Sequence, residues 1–356
     1  MQKKAYLVLE NGKVFEGVQI GAQGEAVGEL VFSTSMVGYL ETLTDPGFFG
    51  QIVMQTFPLI GNYGVIESDF ENKSAVSGYV VRECCETPSN FRSEYELDLF
   101  LKNNNICGIS GVDTREVTRI IREEGVMNAK ICSEIPLDMK QISEYKVSGG
   151  VEAVGSKEKT VYPAKKEKKY EVALIDYGTR KSVIDALCER GCEVTVLPWN
   201  VSAEDVLGMS VGGVLLSNGP GDPKENTYCI EQIKKLIGKI PVFGIGLGHQ
   251  MTALAMGADT VKMKHGHTGG NQPVSETGGS RTYITTQNHG YAVDKESIKD
   301  GEINFVNAND SSCEGIEYPE KNCFTVQFYP DTQGSINTTS FLYDKFISMI
   351  GGNENA

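Results

Sequence analysis

The sequence predicts an α/β protein of two domains: a mixed α+β domain first, then a domain with a central, mostly parallel sheet. Three observations predict it. The chain has 356 residues, and about 150 residues per domain is the usual scale. Residues 148–169 differ from both flanks, opening on Gly149-Gly150 and crowding Lys157, Lys159, Lys165, Lys166, Lys168 and Lys169 at the end. From residue 170 onward, short apolar runs alternate with helical stretches, the pattern of βαβ units. The expected organisation is therefore a domain over 1–147, a solvated linker over 148–169, a second domain over 170–350 and a tail over 351–356.

Composition narrows the function classes. Lys and Arg number 33 against 47 Asp and Glu, a net charge of −14. A chain this acidic is not expected to hold nucleic acid or an anionic membrane surface through bulk charge. No run of about 18 apolar residues suggests a membrane span. The apolar run before Glu10 is too short for a signal peptide. Nine Cys, an odd number at irregular spacing, favour reduced thiols and a cytoplasmic location over a disulfide framework.

In the first domain, Leu7–Leu9 and Lys13–Phe15 flank Asn11-Gly12, a hairpin signal. Val27–Phe32 and Gln51–Thr56 read as strands. Glu94–Asn103 and Thr114–Glu124 read as helices, the second with Asp113 as N-cap and Gly125 as stop. In the second domain, Val172–Ile175, Val194–Leu197, Gly213–Leu216 and Val242–Ile245 read as buried strands. Helices are expected over 180–190 and 227–238. A capping box at Ser202-Ala-Glu-Asp205 opens a short one.

Sites in such sheets collect at the carboxyl ends of strands. Four segments fall there: Ser217–Pro223, Gly244-Ile-Gly-Leu-Gly-His-Gln250, Gln287-Asn-His-Gly-Tyr291 and Val326-Gln-Phe-Tyr-Pro-Asp331. The second has the form of a nucleophile elbow: a strand, a tight Gly-flanked turn, then a helix starting near His249. The residue it would present is Gly246, which has no side chain. No metal site is suggested: His265 and His267 have no further ligand at metal spacing. Gly219-Pro-Gly221 lacks the Lys-Ser/Thr of a phosphate loop.

Beyond these patterns, the chain resembles the small subunits of carbamoyl-phosphate synthase, which are class I, triad-type glutamine amidotransferases. The likeness runs from about Tyr6 to Ile350. It is carried by Phe32-Ser-Thr-Ser-Met-Val-Gly-Tyr39, Leu43-Thr-Asp-Pro46, Gly61-Asn-Tyr-Gly64, Pro88–Ser93 and Gly108-Ile-Ser-Gly-Val-Asp-Thr-Arg115, with Leu216–Pro223 and His265–Asn271 in the second half. The resemblance implies a class I glutamine amidotransferase-like second domain. It also implies a mechanism in which an elbow Cys attacks the side-chain amide of glutamine while a His, oriented by a Glu, moves the protons. Ammonia would pass to a large subunit that uses ATP and bicarbonate. ATP and metal are expected on that partner, and no cofactor in this chain.

Residue by residue, the triad positions are vacated. Gly246 stands for the nucleophile. Tyr329 stands for the base, and a neutral phenol with a pKa near ~10 is a poor proton acceptor at pH 7. Asp331 stands for the orienting Glu, and Gly47 for a substrate-contacting Ser. No Cys lies in the elbow, and each of the four His falls at a motif used for something else. The resemblance further assigns Gly219, Gly221, Leu247, Gln250, Asn288, Gly290 and Tyr291 to positions around the substrate glutamine. Two readings of those residues stand: weak residual affinity for glutamine, or, preferred, service in turn geometry and packing. The expectation is a carbamoyl-phosphate synthase small subunit without glutaminase activity, supporting an ammonia-using large subunit. The alternative is a paralogue acting as a non-catalytic amino-acid-binding or regulatory protein.

Overall fold

The computed structural model describes residues 3–330 and 339–352. It divides into two compact units. One comprises 1–148 with 264–269, the other 149–263 with 270–356.

The first unit is built on a closed barrel. Its strands are β1 (Lys4–Leu9), β2 (Val14–Gly21), β3 (Ala26–Ser33), β4 (Gln51–Gln55), β5 (Gly78–Val80) and β6 (Cys107–Ser110), then helix α1 (Thr114–Glu124) and strand β7 (Met127–Cys132). They close in the order β1-β2-β6-β5-β4-β3-β7. Gly12 sits at φ 85° in the β1–β2 turn, as the Asn-Gly pair requires. α1 starts where Asp113 accepts a bond from the Glu116 N–H at 3.1 Å and stops at Gly125, φ 106°. Its apolar face, Val117, Ile120 and Ile121, enters the barrel core beside Leu7, Ile52 and Ile109. The helix expected over 94–103 forms only over Leu97–Asn103, because Glu96 is extended and makes no side-chain cap.

The second unit carries α2 (Gly150–Val154), β8 (Thr160–Tyr162), β9 (Tyr170–Asp176), α3 (Lys181–Cys188), β10 (Cys192–Pro198), α4 (Ala203–Leu207), β11 (Gly213–Leu216), α5 (Thr227–Leu236), β12 (Val242–Ile245) and α6 (Leu247–Ala255). There follow β13 (Asp259–Glu276, whose residues 264–269 count with the first unit), β14 (Thr282–Asp294), β15 (Glu302–Asn307), β16 (Cys313–Tyr318), β17 (Cys323–Val326) and α7 (Phe341–Gly352). The sheet order is β8-β10-β9-β11-β12-β17-β16-β15-β13-β14. The five strands β10, β9, β11, β12 and β17 pair in parallel. On β9, Val172 and Leu174 face one core cluster while Ala173 and Ile175 face the other. Both faces are covered, which is why the run reads as continuously apolar rather than alternating.

The stretch read as a solvated linker is more ordered than expected. It carries α2 and β8, and β8 pairs antiparallel with β10. A three-residue exposed edge strand has little apolar signal of its own. Its lysines do face solvent: Lys165 pairs with Asp185 at 2.7 Å and Lys168 with Glu171 at 2.7 Å. The tail from residue 353 lies outside the described residues, whereas Gly351 and Gly352 end α7.

Candidate functional site

Three strand ends of the second unit deliver the decisive residues. At the end of β12, Gly246 occupies φ 58°, ψ −111° as the residue before α6. Its N–H donates to the Val326 carbonyl at 2.9 Å, tying the turn to β17. A side chain there is strained by the backbone, and its Cβ would meet the Asn218 Cβ at 3.2 Å. The flanking glycines serve a different need. A Cβ on Gly248 would drive into the Leu216 backbone, so α6 starts hard against β11. α6 begins at Leu247 rather than near His249, because the turn itself supplies the first helical residue.

At the end of β9, buried Asp176 accepts bonds from the N–H groups of Gly178 at 2.9 Å and Thr179 at 2.7 Å. That turn presents Arg180, which is 3% exposed. Beyond β17, the Tyr329 N–H donates to Thr286 O at 3.0 Å, and the residue is 4% exposed. The Arg180 guanidinium lies 4.4 Å from the Tyr329 ring centroid, a cation–π stack in a desolvated setting. Asp331 lies outside the described residues.

The expected substrate positions divide. Leu247 is buried at the elbow, and a Cβ on Gly219 would come within 2.9 Å of the Leu247 Cδ2. Gly221, φ 90°, faces open space. The Gln250 Nε2 already donates to Tyr291 O at 2.7 Å and to Gln327 Oε1 at 2.9 Å. Its amide hydrogens thus brace the strand carrying Tyr291. Gly290 lies on the same strand, β14. The Asn288 Nδ2 is buried without a hydrogen-bond partner, an unmet donor of the kind a ligand oxygen satisfies. Gly47 belongs to the first unit. Its N–H donates to Asp45 Oδ1 at 2.8 Å in a tight turn.

Cys313, Cys323, His249 and His289, among the described residues of the second unit, are each held in a buried setting. Cys313 is buried and its thiol is pushed up to about 12 by desolvation. Cys323 is pushed up further by the same cause. Both are thiols at neutral pH and poor nucleophiles. The His249 Nδ1 meets Thr325 Oγ1 at 2.8 Å. Thr325 in turn donates to Ile316 O, so Nδ1 carries the proton and Nε2 is the bare nitrogen. Complete burial lowers its pKa to about 3. The His289 Nδ1 faces Tyr291 O at 2.8 Å and its Nε2 faces Gln287 Oε1 at 3.0 Å. Gln287 Nε2 then donates to Glu314 Oε2 at 3.0 Å, and Asn307 Nδ2 to Glu314 Oε1 at 3.3 Å. His289 and Glu314 are both buried and both have the chemistry to ligate a metal ion.

Arg180 lies outside the four strand-end segments singled out in the sequence, whereas Asn218 and Gln327 fall within them. The available signal was a cationic residue directly after a buried strand and a glycine, Ile175-Asp-Tyr-Gly-Thr-Arg180.

Residues 7–131 match the model of the carbamoyl-phosphate synthase small chain, CPSase domain. Residues 173–349 match that of glutamine amidotransferase class-I. The carbamoyl phosphate synthase small chain of Fusobacterium nucleatum is 46% identical over 356 residues, covering 98% of each chain. The chain belongs to the carbamoyl-phosphate synthase small-chain family. The small chain of Listeria monocytogenes serotype 4b is 44% identical over 367 residues, covering 99% of this chain and 98% of that one. The pyrimidine-specific small chain of Bacillus subtilis is 44% identical, covering 98% and 96%. Within this family, the second unit is the amidotransferase-like part. Its elbow turn carries Gly246 at the end of β12, directly before α6. No helix among the described residues is long and apolar enough to cross a membrane.

Proposed function

We propose that this small chain no longer hydrolyses glutamine and acts as a structural and regulatory subunit of an ammonia-using carbamoyl-phosphate synthase. One observation carries the reading: Gly246 offers no atom at the elbow, and Tyr329 stands at the base position under the Arg180 guanidinium. Hydrolysis by the family's route needs a thiolate to form an acyl-enzyme and a base to shuttle its proton. Glycine cannot form the thioester. A phenol near pKa ~10 keeps its proton at pH 7. Removing one member of such a triad costs on the order of 10⁴–10⁶ in kcat, and further losses then add little. Changes at several triad positions at once therefore fit an abandoned activity.

A small chain of this family works with a large subunit, which would supply ATP and metal chemistry and make carbamoyl phosphate for pyrimidine or arginine synthesis. The test is co-purification of the two subunits followed by assays with each nitrogen donor. Synthesis with ammonia and none with glutamine is the expected result. Equal rates with both donors would refute it.

A second reading, a paralogue that binds an amino acid without chemistry, is favoured by the unmet Asn288 Nδ2. Calorimetric titration with glutamine and failure to bind any large subunit would together select it.

A further inference from the structure

The second unit holds a cavity of about 350 Å³ beyond the Gly246 elbow turn's own residues, none of which line it. From β9 the chain runs outward to β10, then returns past β9 to β11. The strand order therefore reverses at β9, and in open parallel sheets the crevice beyond the carboxyl ends at such a reversal is the usual ligand position. The cavity lies there. Trp199 follows directly on β10, and the 220–229 segment follows β11. Its size is that of a small-molecule site.

The chemistry of the lining is specific. Its charged side chains are Glu152 and Glu225, with no Lys, Arg or His among them. Lys224, the nearest cation in sequence, is engaged with Asp259 at 2.6 Å, and Lys157 Nζ is engaged by the backbone carbonyl of Glu152. The aromatic walls are Trp199 and Tyr228. The floor includes Val151 and Cys229. Burial pushes the Cys229 thiol up to about 12, and Sγ donates to Trp199 O at 3.5 Å, so the floor is neutral and unreactive. Carboxylates beside an indole and a phenol select a cation: the carboxylates attract it and the ring faces hold its alkyl-ammonium or guanidinium surface.

We propose that this cavity binds a small organic cation, an alkylammonium or guanidinium compound of amino-acid size. The first turn of α5 also borders the cavity, and its backbone N–H groups can take a carboxylate. The same cationic group can therefore arrive on a simple amine or on a basic amino acid. Agmatine and L-arginine, which share the guanidinium and differ in the carboxylate, distinguish the two.

Trp199 is the only tryptophan in the chain, so emission excited at the red edge, where tyrosine does not absorb, reports this cavity alone. The experiment titrates the full chain with agmatine and with L-arginine, following Trp199 emission and the thermal midpoint in parallel. Saturable change with either ligand is expected, weakened by about tenfold or more in Glu152→Gln/Glu225→Gln. Tighter binding of L-arginine would assign the ligand to basic amino acids, and equal binding to amines generally. No saturable change in emission together with no shift in midpoint overturns the proposal. So does a response that survives the double substitution, or one to glutamate but not to agmatine.

Discussion

The Arg180 guanidinium stacks 4.4 Å from the centre of the Tyr329 ring, with both side chains almost wholly buried. The two residues are 149 positions apart (329 − 180), on turns that leave β9 and β17. In this arrangement the Tyr329 ring serves as a face for a cation.

The stack has a measurable worth. Tyr329→Leu should lower stability by about 1–3 kcal/mol, combining the lost cation–π contact with imperfect packing. Tyr329→Phe, which keeps the ring face, should cost clearly less. Denaturant unfolding of the two variants compares them, and equal losses would show that the ring face is immaterial.

The same cation opposes a return to catalysis. An imidazole at position 329 would have to become imidazolium beside a guanidinium, and a like charge disfavours the charged form. Gly246→Cys/Tyr329→His/Asp331→Glu should therefore hydrolyse glutamine weakly. Adding Arg180→Gln should raise the rate by about tenfold, equivalent to about one pKa unit. Glutaminase assays of the triple and quadruple variants decide it, and a faster triple variant would contradict the argument.

Gly246 should be favoured by the fold. At φ 58°, ψ −111°, with the Asn218 Cβ 3.2 Å from the added carbon, Gly246→Cys and Gly246→Ala should each cost about 1–3 kcal/mol. The penalty is read as a lowered thermal midpoint. A more stable Cys variant would show that the turn relaxes without strain.

His249 should make the protein acid-sensitive. Its pKa is depressed to about 3 in the folded chain by burial, against about 6.5 when unfolded. Between those values the unfolded state binds the extra proton, so stability falls as pH drops, by up to about 1.4 kcal/mol per pH unit. His249→Asn, which can keep a donor toward Thr325, should flatten that slope. Unfolding midpoints between pH 4 and 7 provide the comparison.

Much of the fold was legible in local chemistry. Asp113 and Gly125 bound α1 as expected, and Gly213–Leu216 and Val242–Ile245 form at their expected limits. The closed barrel was not legible, since pairing β1 with β7 joins residues about 120 positions apart and no local pattern encodes that register. β8 was missed because it is short, exposed and held by β10.

Residue identity alone leaves position 246 without a side chain. A glycine has no nucleophile in any conformation, and Cys313 and Cys323 are remote from position 246 along the chain. What surrounds that position depends on long-range packing. Burial of the 177–180 turn and of Tyr329 brings a guanidinium onto a phenol face, and partners separated by about 150 residues find one another only through packing of the parallel sheet.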